Sequence, residues 1–353
     1  MKRTALLMGI AALAFASCAK DTVTETNNGQ AIDFRVATTR ATEVTTNTLE
    51  NFYVTAISAT VSGETVTEGN NYFENAEFTK SGSYFGSTPA YYWPNDGILN
   101  FVAYAPKADE LGGTLSISKD GKTLTGFAPA DDIADQVDFI VATASGSKAD
   151  QNSGVALTFD HMLSQIEIKA KNTHAGYKYK VAGVRIAGVL GQADFDFDSK
   201  EWDFTNYSTV KKTYEVELAN PVTLDGTGVN VMDQGTLMVD EDGDDEAETE
   251  VKYSDNAMLL PQNLSATGMT AKFGVYVKVT SVSTGAQVFP DTDGDDDGTA
   301  IDEYGWMDVA VTTNWEAGYK YVYTLDMSQA DELGAPIKFT LDKVTPMGEG
   351  ETE

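Results

Sequence analysis

Lys272-Phe273-Gly274-Val275-Tyr276-Val277-Lys278-Val279 decides the fold. Phe273, Val275, Val277 and Val279 recur at every second position, and residues spaced by two share one face of a β-strand. The same period runs through Tyr319, Tyr321, Tyr323 and Leu325. It also runs through Ile32, Phe34 and Val36, which alternate with Asp33 and Arg35. Leu115 and Ile117, then Asp120-Gly121, then Leu124 predict a hairpin, because Asp-Gly accepts the positive φ angles of a type I′ turn. Phe195 and Phe197 predict a second hairpin with Trp202 and Phe204, across Asp198-Ser199-Lys200-Glu201. Val155 to Lys171, through Phe159, His161, Ile166 and Ile168, reads as a strand pair. No long stripe has helical spacing; Ala130 to Val137 predicts one short helix. Many short strands with Gly-, Asn- and Asp-rich turns predict an all-β chain of β-sandwiches. Its 353 residues exceed one ordinary domain. The polar break Asn172-Thr173-His174-Ala175-Gly176 divides an N-terminal sandwich, 41–172, from a C-terminal one, 173–353.

Acidic residues number 54 against 24 basic ones, a net charge of −30. Such a surface repels phosphate backbones and anionic lipid heads, which excludes nucleic acid as a partner, and it attracts divalent cations. A hydrophobic content of 42% supplies packed cores.

Ahead of the strands, Lys2 and Arg3 precede an apolar run from Ala5 to Ala16 that is too short to span a bilayer. It reads as residues 1–17 of a signal peptide. Phe15-Ala16-Ser17-Cys18 looks like the lipobox of bacterial lipoproteins, with Cys18 as the lipid attachment site. Cys18 is the only cysteine, so no intramolecular disulfide forms. Residues 18–40 then read as a lipidated, Thr-rich tether carrying the strand at Ile32, Phe34 and Val36. The expected location is the outer membrane, on the cell surface.

Catalytic signals are weak. His161, flanked by Phe159 and Leu163, reads as a hydrogen-bonded core or rim residue, and two histidines make no zinc site. No Gly-x-Ser-x-Gly elbow is present. Trp93, Trp202, Trp306 and Trp315 read as core or turn residues. Asp240 to Glu250 reads as a solvated loop. Asp291, Asp293, Asp295 and Asp297, with Gly298, space carboxylates as a calcium loop does, but Tyr304 stands where the closing ligand belongs. Calcium binding and an unstructured acidic loop both stay open, and no other cofactor is expected.

Several segments together resemble the fimbrillin-like proteins of Bacteroidales. They are Tyr91-Tyr92-Trp93-Pro94, Leu99-Asn100-Phe101-Val102-Ala103-Tyr104-Ala105-Pro106 and Asp135-Gln136-Val137-Asp138-Phe139. Phe159-Asp160-His161-Met162-Leu163-Ser164, Leu259-Leu260-Pro261-Gln262 and Trp315-Glu316-Ala317-Gly318 follow in the same order. The resemblance implies two transthyretin-like β-sandwich domains, lipoprotein export, and assembly with other fimbrillin subunits into pili by strand donation. It also implies cleavage after an arginine, here Arg40 in a polar Thr-rich stretch, which would leave Ala41 as the new N-terminus. Cleavage there would free Ile32, Phe34 and Val36 as a removable strand. Ile337, Phe339 and Leu341 alternate in the same way, as a donor strand or as the resident last strand of the second domain. A stalk or tip subunit of surface fimbriae, supporting adhesion to a host or bacterial surface ligand, is the expected function, and not an enzyme. The alternative is a surface glycan-binding lipoprotein of a polysaccharide-uptake system.

Overall fold

The computed structural model describes residues 31–38, 49–239, 249–252, 255–290, 304–329 and 338–347. Its first strands are β1 (Phe34–Thr38), β2 (Asn51–Ser62), β3 (Thr65–Ser81), β4 (Tyr84–Gly86), β5 (Ile98–Ala105) and β6 (Thr114–Ser118). Then come β7 (Gly121–Phe127), β8 (Ile140–Gly146), β9 (Val155–His161), β10 (Ser164–Lys171), β11 (Tyr177–Leu190) and β12 (Ala193–Asp196). Next are β13 (Glu201–Asp203), β14 (Lys211–Thr223), β15 (Val229–Asn230), β16 (Thr236–Val239), β17 (Thr249–Lys252) and β18 (Ala257–Leu259). The last are β19 (Lys272–Ser281), β20 (Gln287–Phe289), β21 (Gly305–Ala310), β22 (Tyr319–Asp326) and β23 (Lys338–Pro346). The chain is all-β, as its alternation predicts. In place of the helix expected over Ala130 to Val137 there is a single 3-10 turn, Ile133–Asp135, capped by the Asp132 side chain. Only Ile133 is buried there, too little apolar contact to offset the cost of nucleating a longer helix.

The first sheet has the order β1-β4-β3-β2-β5-β8-β9 and closes on itself through a parallel β1–β9 pair. Its interior is rich in phenylalanine: Phe34, Phe52, Phe78, Phe101 and Phe159 are all buried. The chain then leaves this sheet. β9 pairs with β1 and β8, whereas β10 pairs with β15, β18 and β22, so Val155 to Lys171 is two strands of different sheets and not a pair. The reason lies in Met162-Leu163: both side chains are buried, so the junction passes through protein instead of turning at the surface.

The second half is a sandwich. One sheet runs β15-β10-β22-β23, with β18 also on β10; the other runs β14-β11-β19-β20, with β21 also on β19. Ile166, Ile168, Tyr321, Tyr323 and Leu325 of the first sheet and Val181, Val184, Phe273, Val275, Val277 and Val279 of the second are all buried in one cluster. Phe273 meets Tyr323 edge-on at 4.7 Å, and the Trp315 indole N–H donates to the Tyr323 hydroxyl at 2.8 Å. Burial raises the Tyr323 pKa above its ordinary value.

A four-stranded sheet, β13-β12-β7-β6, joins the halves, since β7 precedes residue 172 and β12 follows it. Both expected hairpins lie here. Phe195 pairs with Trp202, but Glu201, expected in the turn, pairs with Asp196, so the turn is Phe197 to Lys200. In the other hairpin Ser118 pairs with Gly121, so the turn is Lys119-Asp120 and not Asp120-Gly121. That register sets Leu115 opposite the fully buried Leu124, and a slip by one residue would turn Leu124 outward. Beneath this sheet Phe139 packs against Phe127, Phe195, Phe197 and Trp202 at ring separations of 5.2–6.1 Å. Met162, Met258, Leu260 and Met347 belong to the same cluster, so both halves share it.

Phe139→Ala should cost about 3–5 kcal/mol by opening a cavity in this shared core. Urea unfolding followed by tryptophan fluorescence measures the loss. A change below about 1 kcal/mol would mean that the joint contributes little to stability.

Candidate assembly site

Alternation decides what β1 buries. Ile32 and Phe34 are 1% and 0% exposed, Val36 is half-buried against the same core, and Arg35 faces solvent. Phe34 sits at the centre of an aromatic cage, edge-on to Phe78 at 4.7 Å, Phe101 at 5.0 Å and Phe52 at 5.8 Å. Its backbone is held on both sides. β1 runs parallel to β9 from Phe34↔Val155 to Thr38↔Phe159, and Phe34 also pairs with Phe85 of β4. The Ile32 N–H donates to the Tyr91 carbonyl at 2.8 Å, and the Val155 N–H donates to the Asp33 carbonyl at 2.9 Å. Gly154, at φ +66°, turns the chain tightly into β9; a Cβ there would stand 3.2 Å from the Tyr84 ring.

β1 is therefore the stave that closes the first sheet. Its departure would leave two edges, β4 and β9, around an apolar slot lined by Phe52, Phe78, Phe85, Phe101, Leu157 and Phe159. Open edges beside apolar side chains form a template for another strand.

β23 differs in kind. Among the described strands it pairs with β22 alone and ends its sheet. Leu341 lies opposite Tyr323 and Val344 opposite Tyr321, yet they are 38% and 45% exposed. The Thr324 hydroxyl donates to Asp342, the Thr340 hydroxyl donates to Asp342 at 2.6 Å, and the Met347 N–H reaches the Gly318 carbonyl at 2.7 Å. Met347, just past the strand, is buried, whereas Leu341 and Val344 keep much of their side chains in solvent.

Of the residues expected to act, the backbone of Phe339 pairs with Leu325 in β23. Cys18, Arg40, Ala41, Ile337 and the aspartates Asp291, Asp293, Asp295 and Asp297 lie outside the described residues. His161 is 5% exposed, with its Nδ1 2.6 Å from Asp138 Oδ2. Among the described residues no group of histidine, cysteine, aspartate and glutamate is arranged to hold a metal.

In the uncut chain, Phe34→Ala should cost about 3–5 kcal/mol, because it empties the centre of a packed cage. Leu341→Ala should cost less than about 1 kcal/mol, as a surface change does. Urea denaturation of both variants tests the contrast; equal losses would make β23 as integral to its own subunit as β1.

The sequence pattern of the fimbrillin-like proteins matches residues 39–342. Among solved structures, the chain is similar to a candidate cell adhesion protein of Bacteroides uniformis, at 16% identity and a TM-score of 0.45, covering 92% of this chain and 100% of that one. A candidate cell adhesion protein of Bacteroides ovatus is 14% identical over 90% of this chain and 97% of its own, with a TM-score of 0.46. A fimbrial assembly protein of Parabacteroides distasonis is 11% identical over 90% and 98%, with a TM-score of 0.35. No curated protein matches. With the family pattern running through nearly every strand described above, the chain belongs to the fimbrillin-like family.

Proposed function

We propose that this protein is a structural subunit of cell-surface fimbriae that polymerises by exchanging a terminal strand, with no catalytic role. The observation that carries this reading is the position of β1: a closing stave, buried through Phe34, whose continuation leads directly to Arg40. Cleavage after Arg40 turns a sealed sheet into an acceptor slot. The segment around Ile337, Phe339 and Leu341 is the donor, since β23 already lies at a sheet edge with Leu341 and Val344 partly exposed. Burying three such side chains in a neighbour's slot stabilises the contact by roughly 5–9 kcal/mol before ordering costs, at about 1.5–3 kcal/mol each. The contact is head-to-tail and does not close, which yields a filament. Before cleavage the chain is a lipoprotein anchored at Cys18 to the outer membrane; its partners are further fimbrillin subunits and the surface ligand to which the fibre adheres.

Truncation after Asp331 tests the mechanism. Cut at Arg40, the truncated chain should remain a folded monomer by circular dichroism and form no filaments under the electron microscope, whereas the full chain polymerises. If truncation unfolds the protein, the last strand belongs to its own domain and the proposed exchange is wrong.

Anchoring has a separate test. Two acyl chains suffice for stable membrane attachment where one is marginal. Cys18→Ser should abolish incorporation of radiolabelled lipid and release the protein from membranes; unchanged retention would remove the anchor from the scheme.

A further inference from the structure

A bulge in the four-stranded sheet opens a groove. Between Ala193 and Phe195 the register with β7 slips, and Gly126 stands at the slip with φ +73°. Side chains claim its backbone: the Gly126 N–H donates to Asp194 Oδ1 at 2.7 Å, and Gln192 Nε2 donates to the Gly126 carbonyl at 3.1 Å. Bulges of this kind re-aim the side chains beside them. A Cβ at Gly126 would stand 3.3 Å from both Gln192 Nε2 and the Tyr207 hydroxyl, so the bare position keeps the floor low. The result is an open groove of about 500 Å³, lined in part by Asp109, Thr114, Thr125, Gln192 and Tyr207 over the glycine floor.

Both halves build it. Asp109, Thr114 and Thr125 precede residue 172, whereas Gln192 and Tyr207 follow it. The turn that carries Tyr207 is fixed by its own backbone: the Tyr207 N–H donates to the Phe204 carbonyl at 2.9 Å, and the Val210 N–H donates to the Tyr207 carbonyl at 2.8 Å. Asn206 donates to Asp194 Oδ2 at 3.3 Å, which fastens this turn to the bulge. Tyr207 is half-buried, and among the described residues no other ring stacks on it. Gln192 spends one end of its carboxamide on Gly126; the other, Oε1, has no partner among the described residues. Thr114 and Thr125 are opposed across β6 and β7, and both are exposed.

This lining selects a ligand class. Sites for apolar small molecules are walled by aliphatic and aromatic side chains, whereas here glycine backbone, two threonine hydroxyls, a carboxamide, a carboxylate and a phenol meet. No lysine or arginine lines the groove, and the chain carries a net charge of −30, so an anion is repelled. Asp109, the one lining carboxylate, lies 2.6 Å from Lys107 Nζ, which satisfies its charge and removes the pull on a cation. A neutral ligand rich in hydroxyl groups fits what is left, because each hydroxyl both donates and accepts.

We propose that this groove binds a neutral saccharide, a mono- or disaccharide unit seated over Gly112, Gly113 and Gly126. The apolar C–H face of the sugar lies along the Tyr207 ring. Its hydroxyls donate to Gln192 Oε1 and Asp109 and exchange hydrogen bonds with Thr114 and Thr125. Bare glycine backbone lets the sugar approach closely. The site is independent of how subunits assemble, since no residue of β1 or β23 lines it. In a fibre it would repeat once per subunit, and weak single contacts would gain avidity.

Saturation-transfer NMR of the full chain tests it, with glucose, galactose, mannose, N-acetylglucosamine, cellobiose and lactose as probes and glucuronate as the anionic control. At least one neutral sugar should receive saturation and glucuronate should not, and added salt should leave the signal unchanged, because no ion pair is involved. Thr125→Trp fills the groove from an exposed position and empties no core; it should weaken binding at least about tenfold. Tyr207→Ala should do the same, while Tyr207→Phe keeps the ring and most of the binding. Filaments should still form from the Thr125→Trp chain, which separates a failure here from a failure of the assembly scheme. Absence of transfer to all six neutral sugars, equal transfer to glucuronate, or full binding by a folded Thr125→Trp variant would each overturn the proposal.

Discussion

A sheet can be sealed only if its two edge strands find each other, and in the first half of this protein one short strand makes that connection. β1 pairs with β4 on one side and β9 on the other, and Phe34 fills the centre of the space between them. Every other pairing in that sheet is antiparallel, and the β1–β9 pairing alone is parallel. The residues between β1 and β2 include Arg40. A fully buried ring, Phe34, thus lies on the strand that precedes this arginine in the chain.

The two halves are not independent. β7 and β12 pair across the point where composition alone would divide the chain, and Phe139 packs against rings contributed from both sides. β10 begins before that point and is wholly committed to strands of the second half. A chain arranged in this way cannot lose one sandwich and keep the other unaltered, because the shared core loses a wall.

How much of this was legible in the sequence depends on the distance over which each feature is decided. Period-two alternation at Ile32, Phe34 and Val36, and again at Phe273 to Val279, is local, and it predicts both the strand and its buried side. The turn at Lys119-Asp120 was misplaced by one residue, because the register follows the burial of Leu124 and not the local preference of Asp-Gly. Val155 to Lys171 reads as a strand pair because nothing local distinguishes the buried crossing at Met162-Leu163 from a turn. Trp306 was read as a core or turn residue; its outward face follows from pairing with Tyr276, which is distant in the sequence. The one signal available was Gly274, a bare position amid alternating apolar residues, which marks a place where another group lies close over the strand.

The joint between the halves also has a mechanical meaning. In the proposed fibre, a subunit linked to one neighbour through its first sheet and to another through its last strand would carry tension across its whole length. Two routes carry that load: the backbone from β9 into β10 with the β10–β22 ladder, and the β7–β12 ladder with the rings around Phe139. Tight packing resists small displacements until the whole contact gives way at once. The aromatic cluster then acts as a tensile coupling that shares the load with the backbone between β9 and β10.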